Sequence, residues 1–192
     1  MTRVLSIIVL LSLLIAGPAW TFPLDRLQSV VTMTVGGKLA CTGWVSSCVK
    51  TSEGTYIVAV RTAGHCADAD GVLWNDGSTS SVLTTELLPQ DGAKITVYST
   101  IRREALSVGP RPALGDEIWV AGHPFGMSLM ISRGIVSGWE RDEGGIWMVA
   151  DYAAGGGVSG GPVFNVAGQV VGTHCSSMMG TMRYIRPEPP LE

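Results

Sequence analysis

The sequence has few charged residues, few histidines and no excess of positive charge. Only 15% of the 192 residues are Asp, Glu, Lys or Arg and 46% are hydrophobic, which excludes a disordered, highly charged chain. The formal net charge of -3 provides no basic field, so nucleic-acid binding is not expected. The three histidines are scattered among four cysteines, and we expect neither a metal site nor a cofactor.

Long apolar segments are also lacking. The longest run, residues 4–16, is shorter than the roughly 20 residues of a membrane span. It follows the basic lead of residues 1–3, and Gly17 and Ala19 are small residues that fit cleavage after Ala19. Residues 1–19 are therefore expected to be a signal peptide, and the mature chain to be secreted or periplasmic with no stable membrane span. If the segment is not cleaved, it anchors the protein to the membrane.

Glycine is abundant instead, at 25 residues, and short β-rich segments alternate with turn signals. Almost no segment has a period of 3.6 residues, so the pattern predicts an all-β barrel or sandwich. Residues 102–112 are the expected link between two lobes, and residues 187–192 an extended tail. The strand candidates are 43–49, 55–62, 73–74, 80–88, 95–101, 117–121, 128–137, 146–150, 163–166, 169–173 and 181–185.

At least one disulfide is expected among the four cysteines, because disulfides persist in exported proteins. The candidate strands 43–49 and 55–62 flank a turn near residue 53, and an antiparallel hairpin there places Cys41 near Cys66. The same register places Cys48 opposite Ala59. We therefore predict a Cys41–Cys66 disulfide. Cys48 and Cys175 are then free thiols, with a bridge between these two as the open alternative.

Two local patterns carry chemistry. The first is Thr-Ala-Gly-His-Cys around His65, and the second is Gly-Gly-Gly-Val-Ser-Gly-Gly-Pro around Ser159. A serine hydroxyl becomes a nucleophile when a base takes its proton, and glycine-rich backbone can present paired N–H groups to an oxyanion. Taken singly, the histidine is more often structural and the glycine-serine run is more often a flexible loop. Together they predict a nucleophile, Ser159, with His65 as its base.

These motifs resemble those of the chymotrypsin-fold serine proteases, most closely the HtrA and glutamyl-endopeptidase branch. Residues 114–126, 132–137, 151–153 and 163–172 extend the resemblance, which covers roughly residues 30–186. It implies one trypsin-like domain over 20–192. This domain is all-β, with two six-stranded antiparallel β-barrels over about 28–101 and 113–186, and an active site in the cleft between them.

The resemblance also implies roles for individual residues. Asp91, which begins an Asp-x-Ala-x-Ile segment, matches the acid that orients His65, although Gly92 stands where the family has an apolar residue. The alternative is a solvated turn aspartate. The backbone N–H groups of Gly157 and Ser159 are expected to form the oxyanion hole.

The expected function is that of a secreted serine endopeptidase that hydrolyses protein or peptide substrates through an acyl-enzyme. The alternative is a catalytically silent homologue that serves as a binding module. The substrate pocket is expected to be formed by His174, Ala153, Ala154 and Ser176, because a Gly-x-His segment in this family recognises Glu or Gln. A small apolar pocket is the alternative, with His174 packed in its wall. His123 is expected to be structural or exposed.

Overall fold

A computed structural model describes residues 22–178 and 182–188 of the chain, and its regular structure there consists of strands and short 3-10 helices. The 3-10 helices are Leu24–Ser29, Gly64–Cys66 and Pro124–Gly126. Within the described residues, no helix has the length and apolar character needed to cross a membrane. The expected signal peptide, residues 1–19, lies outside the described residues.

The first six strands close into an antiparallel barrel in the order β1-β2-β3-β6-β5-β4. Burial alternates along them as expected for strands with one face on a core: in β3, Val58 and Val60 are buried, while Ala59 and Arg61 alternate with them and are partly exposed. The strands are β1 (Val30–Val35), β2 (Lys38–Lys50), β3 (Tyr56–Ala63), β4 (Gly71–Leu73), β5 (Thr79–Leu88) and β6 (Gly92–Ser99).

The next six strands close into a second antiparallel barrel in the order β10-β11-β12-β9-β8-β7. Its core contains Ile118, Met148, Val163 and Ile185, each fully buried. The strands are β7 (Glu117–Gly122), β8 (Met130–Asp142), β9 (Gly145–Ala150), β10 (Pro162–Asn165), β11 (Val170–Met178) and β12 (Met182–Pro187). The predicted all-β fold of two six-stranded barrels is therefore confirmed.

The structure corrects the expected strand pattern in two places. Residues 30–35 form β1, which was not among the strand candidates although it is buried in the first barrel. Cys48 pairs with Val58 rather than with Ala59, because the β2–β3 turn is centred on Glu53 and pairs Lys50 with Tyr56.

The link between the barrels runs from the end of β6 to the start of β7 and includes the predicted residues 102–112. It packs on both barrels. Leu106 is buried and its N–H donates to the carbonyl of Val45 in the first barrel, while Val108 forms a bridge with Val170 in the second. The link therefore holds the two barrels together as well as connecting them.

The chain stays packed beyond the point where the extended tail was expected to begin. Pro187 ends β12 and Glu188 is buried, while residues 189–192 lie outside the described residues. Glu188 accepts a 2.6 Å hydrogen bond from Arg186 and lies 3.8 Å from Arg61 of β3. The carboxylate therefore joins a buried arginine of the second barrel to the first.

Candidate active site

A disulfide fixes the segment that carries the candidate base. Cys41 of β2 is bonded to Cys66, which ends the short helix Gly64–Cys66, and their Cα atoms are 6.3 Å apart. His65 lies within this helix, directly after β3. The structure contains the bridge predicted from the hairpin, and Cys48 and Cys175 are free thiols.

Asp91 lies beside His65 and binds it twice. Its Oδ2 is 2.8 Å from His65 Nδ1, and its Oδ1 accepts a 2.8 Å hydrogen bond from the His65 backbone N–H. The tight turn between β5 and β6 supplies this position, with Gln90 and Asp91 both at positive φ. The backbone carbonyl of Asp91 accepts a further bond from Gly64 N–H at 2.7 Å. The carboxylate therefore holds both the imidazole and its backbone.

The contact between His65 and Asp91 shifts the pKa of both groups. The hydrogen bond to Asp91 raises the pKa of His65 above 6.5, and the charges of Asp91 and Asp68 act in the same direction against burial. Burial acts to raise the pKa of Asp91, but the side-chain and backbone hydrogen bonds from His65 outweigh it and lower that pKa. Asp91 is therefore ionised when His65 titrates.

The loop that carries Ser159 is attached to the first barrel by Thr42 of β2. The Thr42 N–H donates to the carbonyl of Ser159 at 2.8 Å, and its Oγ1 donates to the carbonyl of Gly157 at 2.7 Å. On the other side, Gly160 N–H donates to the carbonyl of His174 at 2.7 Å. Gly160 has φ of 85°, and a Cβ there would lie 2.1 Å from the Thr42 carbonyl, so glycine is required.

Two backbone N–H groups of this loop have no hydrogen-bond acceptor among the described residues. Within residues 22–178 and 182–188, neither the Gly157 N–H nor the Ser159 N–H donates to a protein acceptor. Gly157 has φ of 94°, and a Cβ at this position would lie 2.5 Å from the carbonyl of His123. These are the two groups that the sequence predicted for an oxyanion hole.

Ser159 and His65 face one cavity of about 470 Å³. The Ser159 hydroxyl donates to the backbone carbonyl of Cys175 at 3.3 Å, so its proton is not directed at His65 in this structure. The hydrogen bond between a catalytic serine and its base is often long or misaligned without substrate and forms in the substrate complex. The wall of the cavity is formed by His65, Ala154, Gly155, Gly156, Ser159, His174, Cys175, Ser176, Ser177 and Arg183.

His174 lies in the cavity wall as a neutral group. It is only 2% exposed, and its Nδ1 is 2.9 Å from the hydroxyl of Tyr152. Burial, followed by the charges of Arg183 and His65, lowers the pKa of His174 to about 3. The side chain can therefore offer hydrogen bonds to a substrate but no positive charge at neutral pH.

The other predicted pocket residues divide between two cavities. Ser176 lies in the cavity of Ser159, and Ala154 lies in both that cavity and a neighbouring one of about 430 Å³. Ala153 lines only the neighbouring cavity, whose wall is mostly apolar and includes Val158 and Phe125. Ala153 is therefore not brought together with Ser159.

Several residues at the site carry no recognisable motif. Thr42 and Arg183 attract no attention in the sequence, and Tyr152 only as part of the 151–153 resemblance, because their roles come from contacts between residues distant in the chain. Arg183 lies within a strand candidate, but only the register of β12 against its neighbours places it in the wall beside His174. His123 is buried, its N–H donates to Thr42 Oγ1, and burial lowers its pKa, so it is structural.

His65 belongs to a group of three potential metal ligands, but the group does not form a metal site. Cys41, His65 and Cys66 bring their ligand atoms within 4.8 Å of one another. The two sulfurs are joined in the disulfide, so neither is available as a thiolate. His65 is the single donor left in this group.

Two closed β-barrels, with a histidine–aspartate pair from one and a serine on a glycine loop of the other, define the class of trypsin-like peptidases. A comparison with known families agrees, because the trypsin-like peptidase domain matches residues 41–172. The chain belongs to this family.

Curated relatives of the chain are bacterial proteins named "Probable periplasmic serine endoprotease DegP-like". The one from Rhizobium meliloti (strain 1021) is 32% identical over 125 residues, which cover 63% of this chain and 23% of the relative. The one from Brucella suis biovar 1 (strain 1330) is 28% identical over 129 residues, covering 63% and 25%. The one from Chlamydia trachomatis serovar D is 27% identical over 141 residues, covering 70% and 28%. The chain thus spans about a quarter of the length of these relatives.

Proposed function

We propose that the protein is a serine endopeptidase that acts through an acyl-enzyme. The observation that carries this proposal is the cavity that contains both Ser159 and a His65 already paired with Asp91. His65 Nδ1 faces the carboxylate, so Nε2 is the nitrogen left for Ser159. Asp91 fixes the imidazole tautomer and stabilises the imidazolium that forms during the reaction.

The reaction then follows from these groups. His65 Nε2 takes the proton of the Ser159 hydroxyl while Oγ bonds to the substrate carbonyl carbon. The N–H groups of Gly157 and Ser159 stabilise the resulting oxyanion, a contribution typically worth about 10²–10³ in turnover for each donor. His65 then gives the proton to the amine as the C–N bond breaks. Water, deprotonated by His65, hydrolyses the ester and restores Ser159.

The proposal includes export of the protein. Residues 1–19 have the order of a signal peptide, and the relatives in Rhizobium, Brucella and Chlamydia are named as periplasmic. The Cys41–Cys66 disulfide supports an oxidising compartment, because such bonds are rare in the cytosol. We therefore propose a secreted or periplasmic location, with membrane anchoring if the N-terminal segment is retained. Its substrates would be proteins or peptides in that compartment.

The residue preceding the scissile bond would enter the cavity that His174 lines. A neutral imidazole and the hydroxyl groups of Ser176 and Ser177 favour a side chain that accepts hydrogen bonds, as Glu and Gln do. A small apolar residue is the alternative, since Ala154, Gly155 and Gly156 make part of the wall apolar.

A second candidate function, a silent homologue that only binds peptides, is favoured by one observation. The Ser159 proton is directed to the Cys175 carbonyl rather than to His65. If this arrangement persisted with substrate, Ser159 would not be activated.

Labelling with a fluorophosphonate probe separates the two functions. We expect the wild-type protein to be labelled at Ser159, and the Ser159→Ala variant to be unlabelled. Ser52→Ala, at an exposed turn serine, is the matched control and should be labelled like the wild type. Folded wild-type protein that fails to react with the probe would favour the silent homologue.

A further inference from the structure

The turn that carries Asp91 has an unusual backbone conformation. Gln90 and Asp91 have φ of 57° and 50°, in the left-handed region that glycine adopts readily and glutamine rarely. Both hydrogen bonds between the Asp91 carboxylate and His65 depend on this turn, because its rotation would move the carboxylate away from the imidazole. Backbone of this kind persists where the surrounding structure holds it in place. The turn therefore depends on contacts with the rest of the molecule.

The side chain of Gln90 makes such a contact, and it reaches into the second barrel. Its Nε2 donates a 2.8 Å hydrogen bond to the backbone carbonyl of Ile146 in β9. The amide lies directly over Gly145, and a Cβ at that position would overlap it. Gln90 therefore joins the turn of the catalytic acid to the hairpin between β8 and β9.

The hairpin that receives this amide is itself held by hydrogen bonds and packing. Oδ1 of Asp142 accepts a hydrogen bond from the Gly145 N–H at 3.1 Å, and its Oδ2 accepts one from Trp147 Nε1 at 2.9 Å. Trp147 is buried in one cluster with Cys66, which directly follows His65. The β8–β9 hairpin is therefore an ordered support in contact with the segments of both members of the catalytic pair.

We propose that Gln90 is a positioning residue, whose amide is anchored on the carbonyl of Ile146 and holds Asp91 against His65. The second barrel, which carries Ser159, thereby sets the geometry of a histidine–aspartate pair that the first barrel carries. This inference rests on the proposed peptidase function and adds to it a residue that acts through Asp91. The alternative is a glutamine that only stabilises the barrel interface, which predicts a lower melting temperature and an unchanged His65.

The first test is Gln90→Asn. Asparagine adopts positive φ more readily than glutamine, but its amide is one methylene shorter and cannot reach Ile146. The rate constant for fluorophosphonate labelling of Ser159 should fall about tenfold, as expected when one hydrogen bond that orients a catalytic group is lost. Gln28→Asn, at an exposed glutamine of the helix Leu24–Ser29, is the matched control and should react like the wild type. Labelling of Gln90→Asn at the wild-type rate would overturn the inference.

The second test measures the protonation of His65, which a purely structural role of Gln90 would not change. The hydrogen bond to Asp91 is the main cause of the raised His65 pKa, and the charges of Asp91 and Asp68 contribute less. A displaced Asp91 should therefore lower the His65 pKa toward 6.5 in Gln90→Asn, as measured by NMR titration, with no change in Gln28→Asn. A lower melting temperature with an unchanged His65 pKa would show that Gln90 only stabilises the interface.

The third test approaches the same contact from the second barrel. Gly145→Ala displaces the Gln90 amide without changing any residue of the first barrel, so it should lower the labelling rate and the His65 pKa as well. The double variant with Gln90→Asn should react no more slowly than Gln90→Asn alone, because the contact is already lost. Additive losses, or a Gly145→Ala variant like the wild type, would contradict the proposed role.

The two measurements distinguish failure of this inference from failure of the peptidase function. Wild-type protein that is not labelled contradicts the peptidase function, while the titration of His65 still tests whether Gln90 positions Asp91. A labelled wild type whose variants keep both the labelling rate and the His65 pKa contradicts only the role of Gln90. If Gln90→Asn does not fold, Gly145→Ala decides the matter by the same measurements.

Discussion

The imidazole of His65 is balanced between a carboxylate that favours its charged form and a reaction that needs its neutral form. Because its pKa is raised above 6.5, the protonated form persists to higher pH than for a free histidine. We expect kcat/KM to rise with pH through a pKa above 6.5 and then to level off. A profile that is flat from acidic to neutral pH would exclude His65 as the base.

The Asp91→Asn variant tests the other half of the pair. It removes the charge and offers an amide that favours the wrong imidazole tautomer, so kcat should fall by about 10⁴. Asp68→Asn is the control, since Asp68 acts on His65 through its charge alone and should change kcat by less than about threefold. Near-normal turnover of Asp91→Asn would return Asp91 to the role of a solvated turn residue.

Gly160 offers a test of the serine loop. In Gly160→Ala the new Cβ would lie 2.1 Å from the Thr42 carbonyl, on backbone with φ of 85°. We expect loss of fluorophosphonate labelling and a free energy of unfolding lower by at least about 2 kcal/mol, because strain and overlap add. Gly138→Ala is the control, since a Cβ there meets no atom within 4 Å. Equal melting and labelling of both variants would contradict this account of the loop.

At the residue scale, features that depend on neighbouring residues could be predicted from the sequence, and features that depend on distant strands could not. The His65 and Ser159 motifs are local, so each could be recognised from a few neighbours. Gly92 could not be explained from its neighbours, because the reason lies in a distant strand: a Cβ there would lie 2.9 Å from the guanidinium of Arg186. Arg183 was missed for the same reason.

At the scale of elements, the β2–β3 hairpin shows what local patterns can predict. A turn signal between two β-rich runs was enough to place Cys41 near Cys66, since hairpin pairing follows from the turn. β1 was missed although its local signal is clear: Val30–Val35 is rich in β-branched residues, and Gly36 and Gly37 form the hairpin turn to β2. Local pairing is therefore predictable here, and barrel closure came only from the family resemblance.

The disulfide belongs to this scale, because it joins β2 to the helix that carries His65. It closes a separation of 25 residues, so the Cys41→Ala/Cys66→Ala variant should lose about 2–4 kcal/mol of unfolding free energy. We expect peptidase activity to fall as well, since His65 follows Gly64 in the same short helix. Urea unfolding and labelling measure the two effects, with Cys48→Ala, a free thiol, as control. Unchanged stability and activity would show that the hairpin alone positions His65.

At the scale of the whole molecule, the two barrels are joined by a buried ion cluster. Glu188 lies between Arg186 and Arg61, and its side chain is 3% exposed. Glu188→Ala leaves the Arg186 guanidinium buried without this carboxylate, so we expect a loss of about 3–5 kcal/mol. Glu86→Ala, which breaks a surface pair with Lys94, is the control and should leave the melting temperature unchanged.

An intact melting temperature in Glu188→Ala would show that the interbarrel link, through Leu106 and Val108, suffices to hold the barrels. Thermal unfolding followed by circular dichroism and by tryptophan fluorescence distinguishes loosening of the barrels from their separate unfolding. If the ion cluster couples the unfolding of the two barrels, the Glu188→Ala variant should unfold in two separated transitions.

The buried Cys175 thiol reports on the opening events that make the protein susceptible to self-digestion. Cys175 is 1% exposed, burial raises its pKa to about 12, and its Sγ lies 3.4 Å from the Asp91 carbonyl of the first barrel, so it reacts with thiol reagents only when the contact between the barrels opens. An opened copy of a peptidase is also a substrate for the closed copies around it. For the proposed peptidase, the alkylation rate of Cys175 therefore measures the same opening events that limit self-digestion, and variants that slow alkylation should also be digested more slowly.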